Sequence, residues 1–375
     1  MIKKFIPIER GYKCRIYPNQ EQKQVIKQTI GSCRWIYNHF LDKAKSNGYK
    51  TKTKYIKQLP KLKKEYNWLR KADSIALQQA IRDLDQAFQN FFGGKQNYPK
   101  FKSKKRDKLS YRTQYFKRSS GTESIEIKDN YIKLPKVGWI KFTNYSEEDI
   151  TGKINNVTVT QSRTGKFYIT INTKEVKVTE ATYNIESAIG IDLGIKTFAV
   201  TSNNDKIENP RHLQKYKDKL AHLQRKLAKK EEGSNNYKKL KKRIAKVHEK
   251  IKNVRHDFLH KLSTRLVQEN QLICLESLNI EGMLKNLKLA KHIQNVAWGK
   301  FVKMLEYKGR WYDCIIQKVD TFFASSQICS ECGKKNPQVK DLSIRKWVCE
   351  CGARHNRDRN AADNLLTEGK KQLAS

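Results

Sequence analysis

Two short apolar runs in this chain each carry a carboxylate at or near their C-terminal end, and no other feature restricts the possible folds as much. The first is SAIGIDLG from Ser187, with Asp192 between Ile191 and Leu193. An aspartate inside such a run is costly to bury unless it is paired or binds a metal. Gly190 and Gly194 leave room for another group to approach, and a turn-capping aspartate is the rival reading. The second run, Leu272-Ile273-Cys274-Leu275-Glu276, repeats the pattern and leads into Ser277-Leu278-Asn279. Both read as buried strands. A third carboxylate, Asp358 in HNRDRNAADNLL, opens a helix whose Ala361, Ala362, Leu365 and Leu366 suit packing on a sheet. Taken alone, Asp358 also suits a helix N-cap. Three carboxylates at one place repel one another unless divalent cations lie among them. The arrangement this predicts is a two-metal site for phosphodiester hydrolysis, in which one ion activates water and the other stabilises the leaving oxygen. Nearby Lys and Arg would hold the phosphate.

Cysteine usage points to a second metal. Cys14, Cys33, Cys274 and Cys314 are scattered singly and read as small core residues in a reducing compartment. Cys329, Cys332, Cys349 and Cys351 instead form two close pairs, C-x-x-C-G and C-x-C-G. Paired thiolates of this kind suit a closed, tetrahedral, structural Zn²⁺ site. The second pair is one residue shorter than the commoner spacing. His256 and His260 lie four apart on a helix, but the position of the general-base Glu in a metalloprotease motif holds Asp257, and Phe258 and Leu262 continue a packing stripe. No metal is assigned to them.

The partner is read from charge. The 375 residues carry 78 Lys+Arg against 37 Asp+Glu, a formal net charge of +41, which calls for a polyanion. No long apolar span or secretory leader is apparent, so a soluble intracellular protein without membrane partners is expected. A strand at Tyr12–Tyr17 precedes helical periodicity from Asn19, and a second helix is predicted over Ser74–Phe92. Between Lys95 and Arg118 lie ten Lys/Arg and one Asp, interleaved with aromatics. The candidates for nucleic-acid contact there are Tyr98, Lys100, Phe101, Lys102, Lys104, Lys105, Arg106 and Arg112. The alternative is a solvated loop.

From Ile125 to Asn172 the period changes to two, with strands at 125–127, 131–134, 139–142, 157–159 and 167–171. A turn at Arg163–Lys166 joins the last two. A small β-barrel or sandwich is expected there, with the helices inserted after the strand at Tyr12. Residues 211–260 carry seventeen Lys/Arg against five Asp/Glu, with two apolar stripes separated at Glu232–Asn235. A helical hairpin with basic outer faces is predicted, for nucleic acid or for docking a partner. A helix from about His292 to Trp311 and a strand over Cys314–Phe323 complete the reading.

At this point the chain resembles the TnpB (OrfB) family of insertion-sequence RNA-guided nucleases, relatives of the type V CRISPR effectors. The resemblance rests on YKCRIYPNQEQ, GSCRWIYN, YPKFKSKKR, GIDLGIKTFAV, DFLHKLSTRLV, ICLESLNIEGM, SSQICSECG and HNRDRNAADNLL. It implies an α/β multidomain protein: an RNase H-like RuvC nuclease domain with a zinc-finger insertion, and a β-barrel wedge domain carrying a helical insertion. The implied boundaries are a first wedge strand over 1–18, helical recognition insertion over 19–110 and wedge barrel over 111–182. The nuclease would occupy 183–325, including the basic hairpin 211–262, then the zinc finger 326–354 and the rest of the nuclease 355–375. By motif match, Asp192, Glu276 and Asp358 are the catalytic ligands of two Mg²⁺ ions, and the four clustered cysteines are the zinc ligands. The implied partners are a guide RNA from the element's end and target double-stranded DNA beside a short adjacent motif, in a bacterial cytoplasm on the nucleoid. No small-molecule substrate is implied. Two departures stand out: the C-x-C pair, and Asn356 where relatives frequently carry Asp.

Other functions fit less of the sequence. A catalytically silent RNA-guided DNA-binding regulator would have no use for an intact carboxylate triad. A strand-joining transposase would need a tyrosine nucleophile beside a His pair, and a generic RNA-binding protein leaves the carboxylates unexplained.

Overall fold

The computed structural model describes residues 3–144, 149–180, 185–279, 282–283, 285, 296–341 and 343–374. Contacts divide the chain into two units, residues 2–179 and 180–375. The described helices include none long and apolar enough to cross a membrane.

In the first unit, β1 (Lys3–Ile16) passes into the 28-residue α1 (Gln20–Asn47) through a capping box. The Asn19 side chain accepts from the Gln22 amide at 2.8 Å, and the Gln22 side chain accepts from the Asn19 amide at 3.0 Å. Short helices α2 (Lys52–Ile56) and α3 (Leu59–Glu65) lead to α4 (Ser74–Phe92), whose N-cap is Asp73. Strands β2 (Leu109–Gln114), β3 (Glu126–Lys128), β4 (Tyr131–Leu134), β5 (Gly138–Thr143), β6 (Lys153–Gln161) and β7 (Phe167–Glu180) follow. They join β1 in one seven-stranded sheet of order β2-β6-β7-β1-β5-β4-β3. The expected turn at 163–166 is present, with the Ser162 amide donating to the Lys166 carbonyl. Ile36, Phe40, Leu77, Ile81 and Leu84 from the helices share one apolar core with Val157, Ile169 and Ile171 from the sheet. The strand at Tyr12 is therefore part of this sheet. It starts nine residues earlier than its sequence suggests, because Pro7 and the surrounding charges blur the alternation.

The second unit is built on a mixed five-stranded sheet of order β10-β9-β8-β11-β12. Its strands are β8 (Ala188–Leu193), β9 (Thr197–Thr201), β10 (Lys206–Glu208), β11 (Leu272–Glu276) and β12 (Ile315–Val319). β8, β11 and β12 run parallel, with Cys274 beside Gly190 and Glu276 beside Val319. Parallel strands buried on both faces explain why β8 and β11 are continuous apolar runs. β12 is shorter than the predicted Cys314–Phe323, because Asp320 turns the chain by accepting from the Phe322 amide at 2.7 Å.

Helices α5 (His212–Ala228) and α6 (Asn235–Glu269) form the predicted hairpin and bury Leu220, Leu223, Leu240, Val247 and Ile251 against each other. α6 begins at its cap, Ser234, inside the predicted break, and continues past 262 to cover the sheet with Leu259, Leu262 and Leu266. The helix Trp298–Tyr312 adds Phe301 and Leu305 to that core; the start of its predicted span, near residue 292, lies outside the described residues. The last helix, Arg357–Ala374, crosses the other side of the sheet, and its fit depends on small residues. A Cβ on Gly369 would meet the Cys274 sulfur at 2.3 Å, and the helix meets β8 as closely at Gly190. Between β12 and this helix, a two-stranded ribbon, β13 (Lys346–Val348) with β14 (Arg354–Asn356), carries the second cysteine pair in its turn.

Candidate metal centres

Asp192 is the penultimate residue of β8, Glu276 the last of β11, and Asp358 lies in the first turn of the last helix. All three line one cavity of about 1120 Å³. Asp358 is not the cap of its helix. That position belongs to Asn356, whose side chain accepts from the amides of Asp358 and Arg359, each at 3.2 Å. The Asp358 carboxylate is thereby left to the cavity, where Arg345 Nη1 lies 3.1 Å from its Oδ1.

Burial, followed by the charges of Asp358 and Glu276, pushes the Asp192 carboxyl up to about 7. Arg357 and Arg345 oppose that shift. Glu276 is also raised, by burial. A buried carboxylate whose charge two neighbouring carboxylates destabilise belongs to a donor set suited to divalent cations. The cavity wall adds Lys196, Arg211, Lys217 and Arg255, a surface suited to phosphate. Arg345 was not singled out in the sequence, since it stands thirteen residues before Asp358 and reaches it only through the β13–β14 ribbon.

The cysteines close more tightly than the carboxylates. Among the described residues, Cys329, Cys332, Cys349 and Cys351 are the one group of three or more potential ligands whose donor atoms all lie within 4.8 Å of one another. Cys329 and Cys351 sulfurs are 3.7 Å apart, and Cys332 and Cys349 sulfurs 3.6 Å. A tetrahedral ion with Zn–S bonds of about 2.3 Å places its sulfurs about 3.8 Å apart, so the four residues fit a structural zinc ion. The C-x-C pair is accommodated by a tighter turn. Gly333, after the first pair, donates to the Cys329 carbonyl four residues back; Gly352, after the second, donates to the Cys349 carbonyl three back, both at 2.9 Å. His355 Nε2 lies 3.1 Å from the Cys329 sulfur, a contact the sequence did not reveal. Its one signal is its pairing with Trp347 across the ribbon. The singly placed Cys14, Cys33, Cys274 and Cys314 are all buried.

The basic strap divides in two. Tyr98 packs edge-on against Phe88 and Phe91, at 5.5 and 5.2 Å. Lys102 turns inward, its Nζ 3.8 Å from the Tyr37 ring centre, and Arg112 pairs with Asp83 at 2.7 Å. Lys100, Lys104, Lys105 and Arg106 stay exposed, and half-exposed Phe101 carries Lys45 over its ring. His256 and His260 face each other with Nε2 atoms 3.3 Å apart, and Phe258 packs edge-on against Phe198. Beneath them a buried lysine, Lys308, donates to the His260 carbonyl at 2.7 Å and to Ser263 Oγ at 2.9 Å. Its only sequence signal is its place on the stripe Trp298, Phe301, Met304, Leu305.

Three family models match the chain: one described as probable transposase over residues 170–287, one as Cas12f1-like TNB domain over 298–365, and one as helix-turn-helix domain over 8–53. The described residues of that last stretch are mostly one strand and one long helix. A Streptomyces pristinaespiralis protein provisionally named an RNA-guided DNA endonuclease is 36% identical over 375 residues, covering 96% of this chain and 90% of that one. InsQ of Escherichia coli K12, similarly named, is 31% identical, covering 97% and 93%. Among solved structures, Cas12f1 in a complex with guide RNA and target DNA matches with a TM-score of 0.59 at 14% identity, over 96% of this chain and 99% of that one. That likeness is one of fold.

Proposed function

Because this chain belongs to the family of TnpB-like RNA-guided DNA endonucleases, we infer that it is itself such an enzyme, with Asp192, Glu276 and Asp358 as the ligands of its catalytic metal ions. The observation that carries the assignment is the convergence of the three carboxylates on one basic-walled cavity, from two neighbouring parallel strands and a helix start. A mixed sheet with acids at the ends of its central strands supports an RNase H-like nuclease domain. The seven-stranded sheet with its packed helices supports a wedge domain with a helical insertion.

Two Mg²⁺ ions among these carboxylates would activate a water and stabilise the leaving oxygen of a phosphodiester. The chain's own part is to hold three acids together at a cost that Arg345 and Arg357 offset in part and divalent cations would relieve further, and to line the approach with Lys196, Arg211, Lys217 and Arg255. Arg345 balances Asp358 and would be available to a phosphate bound beside it. The four sulfurs would hold a structural zinc ion. The basic outer faces of the α5–α6 hairpin and the exposed cations at 100–106 suit the backbone of a guide RNA and its heteroduplex with target DNA. A catalytically silent guided binder would bear the electrostatic cost of the three acids without using them.

The test is to purify the protein from cells carrying its native locus and sequence the RNA that accompanies it. A discrete species mapping to the element's end, supporting Mg²⁺-dependent cleavage of matching DNA, is expected. A smear of unrelated RNA would overturn the guided reading.

A further inference from the structure

The helix that carries Asp358 is gripped on the side away from the sheet as well. Asn360 and Asn364, one turn apart on a single face, are 1% and 6% exposed. Asn360 Nδ2 donates to the Ile328 carbonyl at 2.7 Å, and its Oδ1 accepts from the Ser330 amide at 3.0 Å. Asn364 Nδ2 donates to the carbonyls of Ile328 at 2.6 Å and Ser325 at 2.8 Å. The two Asn360 bonds bracket Cys329, one on the residue before it and one on the residue after.

Buried, hydrogen-bonded asparagines are often ordinary packing. Here their three backbone targets lie in one six-residue segment that serves both metal centres. Ser325 and Ser326 line the carboxylate cavity, and Cys329 belongs to the sulfur cluster. Asn360 stands two residues from Asp358, within the same turn. Sheet contact at Gly190 and Gly369 limits how close the helix comes to β8 and β11. The two amides then fix its rotation and its slide along its axis, which are the movements that would carry Asp358 away from Asp192.

We propose that Asn360 and Asn364 are positioning residues for Asp358, tying it to the Cys329 knuckle so that an ordered sulfur cluster sets the divalent-ion affinity of the carboxylate site. The proposal rests on Asp358 being a metal ligand. Removing the donor at 360 frees the start of the helix while leaving all seven ligand side chains in place. Asn360→Asp keeps the acceptor for Ser330 but sets a buried carboxylate against the Ile328 carbonyl, so it should be at least as damaging as Asn360→Ala.

The experiment uses the full chain with its guide RNA and follows zinc per chain by elemental analysis, Mn²⁺ affinity by electron paramagnetic resonance, and cleavage against Mg²⁺ concentration. For Asn360→Ala and Asn364→Ala, zinc content and guide binding should be unchanged. Mn²⁺ affinity should fall about tenfold or more. The Mg²⁺ needed for half-maximal cleavage should rise in step, with the rate partly restored at high Mg²⁺. Wild-type protein stripped of zinc by a chelator that spares Mn²⁺ should show the same loss of Mn²⁺ affinity. Unaltered Mn²⁺ affinity in the zinc-containing variants, or in the zinc-free wild type, would overturn the proposal. If Asp192→Ala leaves Mn²⁺ affinity as it is in the wild type, the carboxylate assignment itself fails, a different result from the other two.

Discussion

A Cβ placed on Gly190 would stand 1.9 Å from the carbonyl oxygen of Ala362. Gly190 precedes Asp192 by two residues on β8, and Ala362 follows Asp358 by four on the last helix, so this contact sets how closely the two carboxylates can approach. The obstacle is backbone, which cannot rotate away. Gly190→Ala therefore has to lift the helix from the sheet, where overpacking usually costs about 1–3 kcal/mol. Cleavage should fall at least about tenfold, because small displacements of catalytic groups are expensive. Gly369→Ala meets the Cys274 sulfur, a side-chain atom with some freedom, and should cost less of both. Denaturant unfolding and guided cleavage of the two variants side by side would show whether the order holds.

Asp192 makes stability without metal depend on pH in the direction opposite to an ordinary salt-bridged acid. Its folded value of about 7 lies above the ordinary value of 3.8, so the folded state keeps a proton that the unfolded state has released. Metal-free protein should thus lose stability as pH rises from about 4 to about 7. Asp192→Asn removes that loss. Its Tm without divalent ions should exceed that of wild type at pH 8 and match it near pH 4, while its cleavage is abolished and guided binding persists. Added Mg²⁺ should raise the Tm of wild type at pH 8 far more than that of the variant. Thermal scans at stepped pH would contradict this if wild type were equally stable at pH 5 and pH 8 without metal.

What could be read from sequence was local. β8 and β11 are apolar runs long enough to identify themselves, the hairpin stripes repeat at helical spacing, and the cysteine pairs bring their own turns. What could not be read depends on distant partners. β1 is a strand over its full length because it lies between β7 and β5, both more than a hundred residues away in sequence, with β5 pairing only its end at Arg15 and Ile16; the first half of its sequence has no alternation to show. Arg345 and His355 were silent because the ribbon that brings one to Asp358 and the other to Cys329 exists only in the fold. Lys102 and Arg112 are candidate phosphate ligands within a basic run, and nothing local in that run shows that Tyr37 and Asp83, on α1 and α4, engage them in the fold.

Arg345 should matter to chemistry and little to stability. Its pair with Asp358 is half-exposed, and pairs of that kind contribute about 0–1 kcal/mol. Removing a preorganised charge at a phosphoryl-transfer site commonly costs about 10²–10³ in rate. Arg345→Ala should therefore leave Tm within a few degrees and guide binding intact, yet slow cleavage by that factor, with Arg345→Lys between. A variant cleaving at the wild-type rate would remove Arg345 from the site.

Lys308 gives the last test, away from the catalytic groups. Its ammonium is buried and held by acceptors on α6, the His260 carbonyl, Ser263 Oγ and Thr264 Oγ1. Burial, then His256 and Lys308, push the His260 imidazole down to about 4, while Asp257 acts the other way. A depressed base is neutral in the fold and protonated in the unfolded chain. Stability tied to His260 is thus full above its ordinary value of 6.5 and is lost as pH falls towards about 4. Lys308→Met keeps the bulk and removes the charge, so His260 should titrate closer to 6.5, still below it because burial and His256 remain. Leaving the hydroxyls of Ser263 and Thr264 without their donor costs about 1–3 kcal/mol at neutral pH. The difference from wild type should then narrow as pH falls from 6.5 towards 4. Imidazole shifts followed by NMR, together with unfolding across that range, would refute the linkage if His260 titrated at the same pH in both proteins.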